Sequence, residues 1–149
     1  MRTSICVAVG VLVWGVADRP AMGQGRGAPG SLVFYSARDG NNEIYVADSD
    51  GGRPLRITEN PASDVDPDLS PNGRDIVFTS NRSGNNDIYV VGTDGRNPVN
   101  LTNNAANDGW ARWSPDGHHI VFHSNRDGNF ELYAMTSIVT VAPTCASGK

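Results

Sequence analysis

Apolar residues in this chain come in short runs, each closed by glycine, asparagine, aspartate or proline. Ile44-Tyr45-Val46, Ile76-Val77-Phe78, Ile88-Tyr89-Val90-Val91 and Ile120-Val121-Phe122 are examples. Such runs are too short for buried helices, and their apolar groups fall on successive positions. Both faces of the resulting strand are therefore apolar, as in a sheet held between two neighbours. The runs also recur in register. Phe34, Phe78 and Phe122 are 44 residues apart, and the same step relates Tyr45, Tyr89 and Tyr133. Ser36, Ser80 and Ser124 keep it, as do Arg38, Arg82 and Arg126, and Gly40, Gly84 and Gly128.

The second copy is the most complete and reads as four strands, over residues 66–70, 75–80, 87–91 and 98–102. Ser70-Pro71-Asn72-Gly73 separates the first two, with proline fixing φ and glycine tolerating a positive one. Residues 81–86 turn the chain again, and Thr93-Asp94-Gly95-Arg96 is a hairpin turn of the Asp-Gly kind. Short strands in a unit of about 40–50 residues predict propeller blades. The fold class is all-β, a β-propeller segment of four-stranded antiparallel blades. The first copy lacks its first strand and the third lacks its fourth, so ten strands, about two and a half blades, are expected. The three units span residues 31–64, 65–108 and 109–136.

The ends depart from the repeat. Arg2 followed by an apolar stretch over residues 4–17 has the form of a secretory signal. Ala21-Met22-Gly23 offers a cleavage site before Gln24, giving a signal peptide of residues 1–23 and a Gly/Pro-rich linker of residues 24–30. The product is then periplasmic or secreted, with no membrane span after cleavage. Residues 137–149 form a divergent tail, whose Ile138-Val139-Thr140-Val141 could supply a missing strand.

Composition changes the picture in two places. The formal charge is −4, and Lys149 is the only lysine, so no basic cluster speaks for nucleic-acid binding. The remaining positive charge is arginine at fixed repeat positions, which predicts structural pairing. Arg38, Arg82 and Arg126 are expected to pair across the turn with the acid five residues on, Glu43, Asp87 and Glu131.

Trp113-Ser114-Pro115-Asp116-Gly117, Ile120-Val121-Phe122, Ser124-Asn125-Arg126-Asp127-Gly128-Asn129 and Glu131-Leu132-Tyr133 resemble the TolB-type β-propeller repeat. Ile57-Thr58 and Leu101-Thr102 resemble that family's closing Leu-Thr. The resemblance implies closure with six blades and a cell-envelope protein as partner. The chain then holds only part of a propeller: a truncated or frameshifted product, or half of an assembly that self-associates to complete the ring. It implies a non-enzymatic binding module. The alternative is a detached accessory propeller of a secreted prolyl-oligopeptidase-like peptidase or a carbohydrate-active enzyme.

Candidate chemistry is sparse. No Gly-x-Ser-x-Gly elbow occurs, and Ser124 belongs to the repeat rather than to a nucleophile site. No catalytic, cofactor-binding or metal-binding residues are assigned, and no cofactor is expected. Asp48-Ser49-Asp50-Gly51 lacks the further ligands of a calcium loop and reads as a turn. The candidate partner contacts are Trp110, Arg112 and His118. Trp110 replaces the Asp66 of the second copy and is expected to share a strand face with Trp113.

Overall fold

The computed structural model describes residues 31–137. The expected signal peptide over residues 1–23, the linker over residues 24–30 and the β-branched run in the tail lie outside the described residues. Ten strands follow in order: β1 (Leu32–Ser36), β2 (Glu43–Ala47), β3 (Leu55–Arg56), β4 (Asp64–Leu69), β5 (Asp75–Ser80), β6 (Asp87–Gly92), β7 (Val99–Asn100), β8 (Asp108–Trp113), β9 (His119–Ser124) and β10 (Glu131–Thr136). They form three antiparallel sheets, β1-β2-β3, β4-β5-β6-β7 and β8-β9-β10. These are the three units of the repeat. Among the described residues the first lacks an inner strand and the third an outer one.

The closing strands are shorter than residues 98–102 predicted, because a side chain takes over the ladder. The Leu101 amide donates to the Ile88 carbonyl at 2.8 Å, and the Ile88 amide donates to Thr102 Oγ1 at 3.0 Å. The Ile57 and Thr58 pair does the same with Ile44. The closing threonine therefore extends the sheet without strand geometry.

The core lies between sheets. Ile44 and Val46 of the first blade meet Ile76, Phe78, Tyr89 and Val91 of the second. Val77 and Ile88, on the other face of the second blade, meet Ala111, Ile120 and Phe122 of the third. Successive residues of β5 thus serve different seams, which is why its apolar run does not alternate.

Candidate functional site

β4 and β8 are the inner strands of their blades, and both carry a bulge. The register shifts between Val65 and Asp68 in β4, and between Gly109 and Arg112 in β8. Asp66 and Trp110 occupy equivalent places in these bulges, each with φ of 53°. Aspartate visits this left-handed region readily, whereas a bulky aromatic residue rarely does. The two inner strands touch: the Trp113 amide donates to Asp68 Oδ2 at 2.8 Å, and Arg112 Nη1 reaches the Asp66 carbonyl at 3.5 Å.

The three residues singled out from sequence do not form one patch. Trp110 is 65% exposed and Arg112 is exposed beside it on β8. His118 lies past the far end of β8, in the turn before β9. There it lines a different cavity of about 400 Å3 with Trp113 and Asp75. Trp110 and Trp113 are also separated. Trp113 packs against the core of the second seam, while Trp110 stacks on His123 with centroids 4.8 Å apart. The expected shared face therefore does not hold: the two are three residues apart, an odd step that alternation places on opposite faces, and a bulge lies between them.

The arginines pair differently from the expected scheme. Arg82 Nη2 lies 2.7 Å from Asp64 Oδ2, and Arg126 Nη2 lies 3.4 Å from Asp108 Oδ1. In each case the acid opens the inner strand of the arginine's own blade, not the strand across the turn. The acids five residues on are otherwise engaged. Glu43 accepts from Thr58 Oγ1 at 2.6 Å and from Arg56 Nη2 at 2.8 Å. Asp87 accepts from Ser83 Oγ, Asn100 Nδ2 and Thr102 Oγ1. Glu131 is exposed. The acid of strand three therefore anchors the closing threonine, and the arginine anchors the inner strand. Each arginine is further fixed by its repeat serine, with Nε to Oγ distances of 3.1, 2.9 and 3.0 Å. Each also lies over the repeat's Phe and Tyr, as Arg82 does at 5.4 and 4.7 Å from the rings of Phe78 and Tyr89.

Burial alone raises the Glu43 carboxyl, but hydrogen bonds from Thr58, the Asn60 amide and Arg56 outweigh it and hold it below its ordinary value. The Tyr133 phenol is pushed up to about 12, first by its hydrogen bond to Asp127 and then by burial. The Asp116 carboxyl is lowered, chiefly by the Ser114 hydroxyl and then by the His118 amide.

A lattice of asparagines joins the blades, and sequence reasoning missed it. Asn41 Nδ2 donates to the carbonyls of Asn60 and Ala62, and Asn85 Nδ2 donates to those of Asn104 and Ala106. Both donors hold the connector that leads to the next inner strand. The 44-residue spacing of Asn41, Asn85 and Asn129 was the available signal.

A cavity of about 570 Å3 lies between the first two blades. Its arginines Arg56 and Arg82 already have their charges matched by Glu43 and Asp64. A smaller one, about 220 Å3, lies between the second and third blades and includes Trp110 and His123 in its wall. Among the described residues no group of three His, Cys, Asp or Glu side chains is placed to hold a metal ion.

Comparisons with known proteins agree with this geometry. The Tol-Pal system protein TolB of Geobacter sulfurreducens is 45% identical over 47 residues, which is 32% of this chain and 11% of that protein. The structure assigned as TolB from Agrobacterium tumefaciens superposes with a TM-score of 0.66 at 30% identity, covering 72% of this chain and 42% of that one. TolB from Acinetobacter baumannii superposes with a TM-score of 0.63 at 28% identity, covering 72% of this chain and 27% of that one. The chain thus spans less than half of each relative's length. Residues 30–146 match the family described as the tricorn protease N-terminal beta propeller domain. With three sheets stacked face to face, a 44-residue repeat and TolB proteins among its relatives, the chain belongs to that β-propeller family and is a TolB-like partial propeller.

Proposed function

We propose that this protein is an exported, non-enzymatic module that binds a protein partner of the cell envelope. The relatives' names place them in a Tol-Pal system, and the family supplies the reading of a propeller as a protein-binding platform. The observation that carries the proposal is the inner edge of β8. There Arg112 stands exposed next to Trp110 on a strand fixed to β4 by the Trp113–Asp68 hydrogen bond. Tryptophan and arginine are the side chains that most often anchor protein interfaces, and a rigid strand presents them at little entropic cost. Export is supported by the signal-like residues 1–23, with cleavage before Gln24. Among the described residues no helix is long and apolar enough to cross a membrane.

The test is a photo-crosslinking residue placed at Arg112 in the full chain, expressed with its own leader. An envelope protein captured in the periplasmic fraction, and lost with Arg112→Glu, is the expected result. A chain retaining its N-terminus in the cytosol, or crosslinks unchanged by Arg112→Glu, contradicts the reading.

Self-association is favoured by a separate observation. Leu132 is 80% and Val121 is 38% exposed on the third blade, at positions equivalent to the buried Ile88 and Val77. On this reading a second copy's first blade covers them, and sedimentation shows a dimer that Leu132→Glu splits.

A further inference from the structure

The repeat makes one place in the molecule conspicuous. Gly109, Trp110, His123 and Phe130 stand where the second copy has Val65, Asp66, Thr79 and Asn86. All four replacements, and all four of the residues they replace, line the same cavity of about 220 Å3 between the second and third blades. The replacements fit one another. His123 is stacked between Trp110 and Phe130, with centroids 4.8 Å from each. A methyl group on Gly109 would sit 2.7 Å from His123 Nε2, so a valine there would evict the imidazole. The result is a three-ring wall whose outer members are 65% and 59% exposed.

Other residues lining the cavity are polar. Thr79 is 4% exposed, and its Oγ1 has no hydrogen-bond partner. A buried hydroxyl left unpaired is costly and calls for a partner. The Asp66 carboxylate and the Asn86 side-chain amide line the same space. Trp110 adds a further cost, because it is held at a φ of 53° while largely exposed. The positive φ belongs to the bulge that both inner strands share, but a bulky aromatic in that place and an unpaired hydroxyl nearby suit a ligand with an apolar face and hydroxyl groups around its rim.

We propose that this cavity binds a single pyranose ring, either as a free sugar or as one unit of a glycan. The outer face of Trp110, which the stack leaves uncovered, attracts the weakly positive C–H groups of a sugar. Thr79, Asn86 and Asp66 exchange hydrogen bonds with its hydroxyls. The cavity is smaller than the clefts of about 300–1,000 Å3 that hold drug-sized ligands, which suits one ring. The inference does not rest on the protein-docking reading, whose test is at Arg112.

Saturation-transfer NMR on the full chain tests it, with the methyl pyranosides of glucose, galactose, mannose and N-acetylglucosamine as probes. At least one is expected to take up saturation with millimolar affinity, mainly on one face of the ring. Its disaccharide should show the signal on one ring only. Trp110→Asp restores the residue of the preceding repeat and should weaken binding at least ten-fold. Thr79→Val should weaken binding several-fold while leaving the melting temperature unchanged or higher, since it removes an unpaired hydroxyl. No transfer to any of the four sugars at tens of millimolar would overturn the proposal. So would binding that Trp110→Asp leaves intact, equal saturation of both disaccharide rings, or a response to tetramethylammonium in place of the sugars.

Discussion

Val77 and Val121 are the same position of the repeat, as are Ile88 and Leu132, yet their surroundings differ. Val77 and Ile88 are 0% exposed, whereas Val121 is 38% and Leu132 is 80% exposed. The strands themselves pair alike, β5 with β6 and β9 with β10, over six residues in each case. What differs is the neighbour. The third blade covers the outer face of the second, and among the described residues nothing covers the corresponding face of the third. In this architecture strand pairing is local, but burial is conferred by the adjacent sheet. The second blade, with a seam on either side, is the structural centre of the molecule.

The ion pairs show the same gradient and give the largest expected effect. Arg82→Ala leaves the fully buried Asp64 without its counter-ion and should cost about 3–5 kcal/mol in denaturant unfolding. The Arg126–Asp108 pair is longer, at 3.4 Å, and its arginine is more exposed. Arg126→Ala should therefore cost clearly less, about 1–2 kcal/mol. Equal losses would erase the distinction between the two blades.

Truncations across the two faces come next. Ile88→Ala opens a cavity in the second seam and should cost about 3 kcal/mol, while Leu132→Ala, measured on the monomer at a concentration too low for copies to associate, should cost no more than about 0.5 kcal/mol. A large loss at Leu132, concentration-dependent in its melting, would mean that a second copy covers the third blade in solution.

The smallest effect depends on pH. The folded-state carboxyl of Glu43 lies below its ordinary value of 4.5, so its contribution is present above that value and lost as pH falls through the lowered one. Glu43→Gln should cost about 2 kcal/mol at neutral pH, for the loss of charge-assisted hydrogen bonds. The gap from the wild type should narrow as pH falls below 4.5 and through the lowered folded-state value, where the wild-type carboxyl protonates. Glu131→Gln, at the equivalent but exposed position, should cost little at neutral pH. Parallel stability curves for Glu43→Gln and the wild type would contradict the role given to the closing threonine and its acid.

Much of this fold is legible in the sequence, because a blade repeats its solution at a fixed interval. The ten strands, their grouping and the missing first and last members all follow from the positions of Phe78, Tyr89, Gly84 and their counterparts. Periodicity identifies which residues recur but not which of them meet. Arg82 and Asp87 are close in sequence, but the hairpin carries the arginine toward Asp64, eighteen residues earlier on the neighbouring strand. The bulge at Trp110 was hidden for a related reason. It changes the direction of a side chain without changing the spacing of the repeat. Trp110 nonetheless stands out in the sequence, because it breaks the repeat. His123, Phe130 and Gly109 break it at the same place, and only the fold brings the four together.

Hydrogen exchange followed by mass spectrometry on the full chain tests the central claim most directly, because it reads the protection of each strand without mutation. Amides of β5 and β6 should exchange slowest, near the rate of global unfolding. At a concentration where the chain is monomeric, those of β10 should exchange orders of magnitude faster, although β9 pairs with it along its whole length. Equal protection of β6 and β10 would contradict the account, because pairing alone would then confer the stability assigned to the packing of one blade on the next.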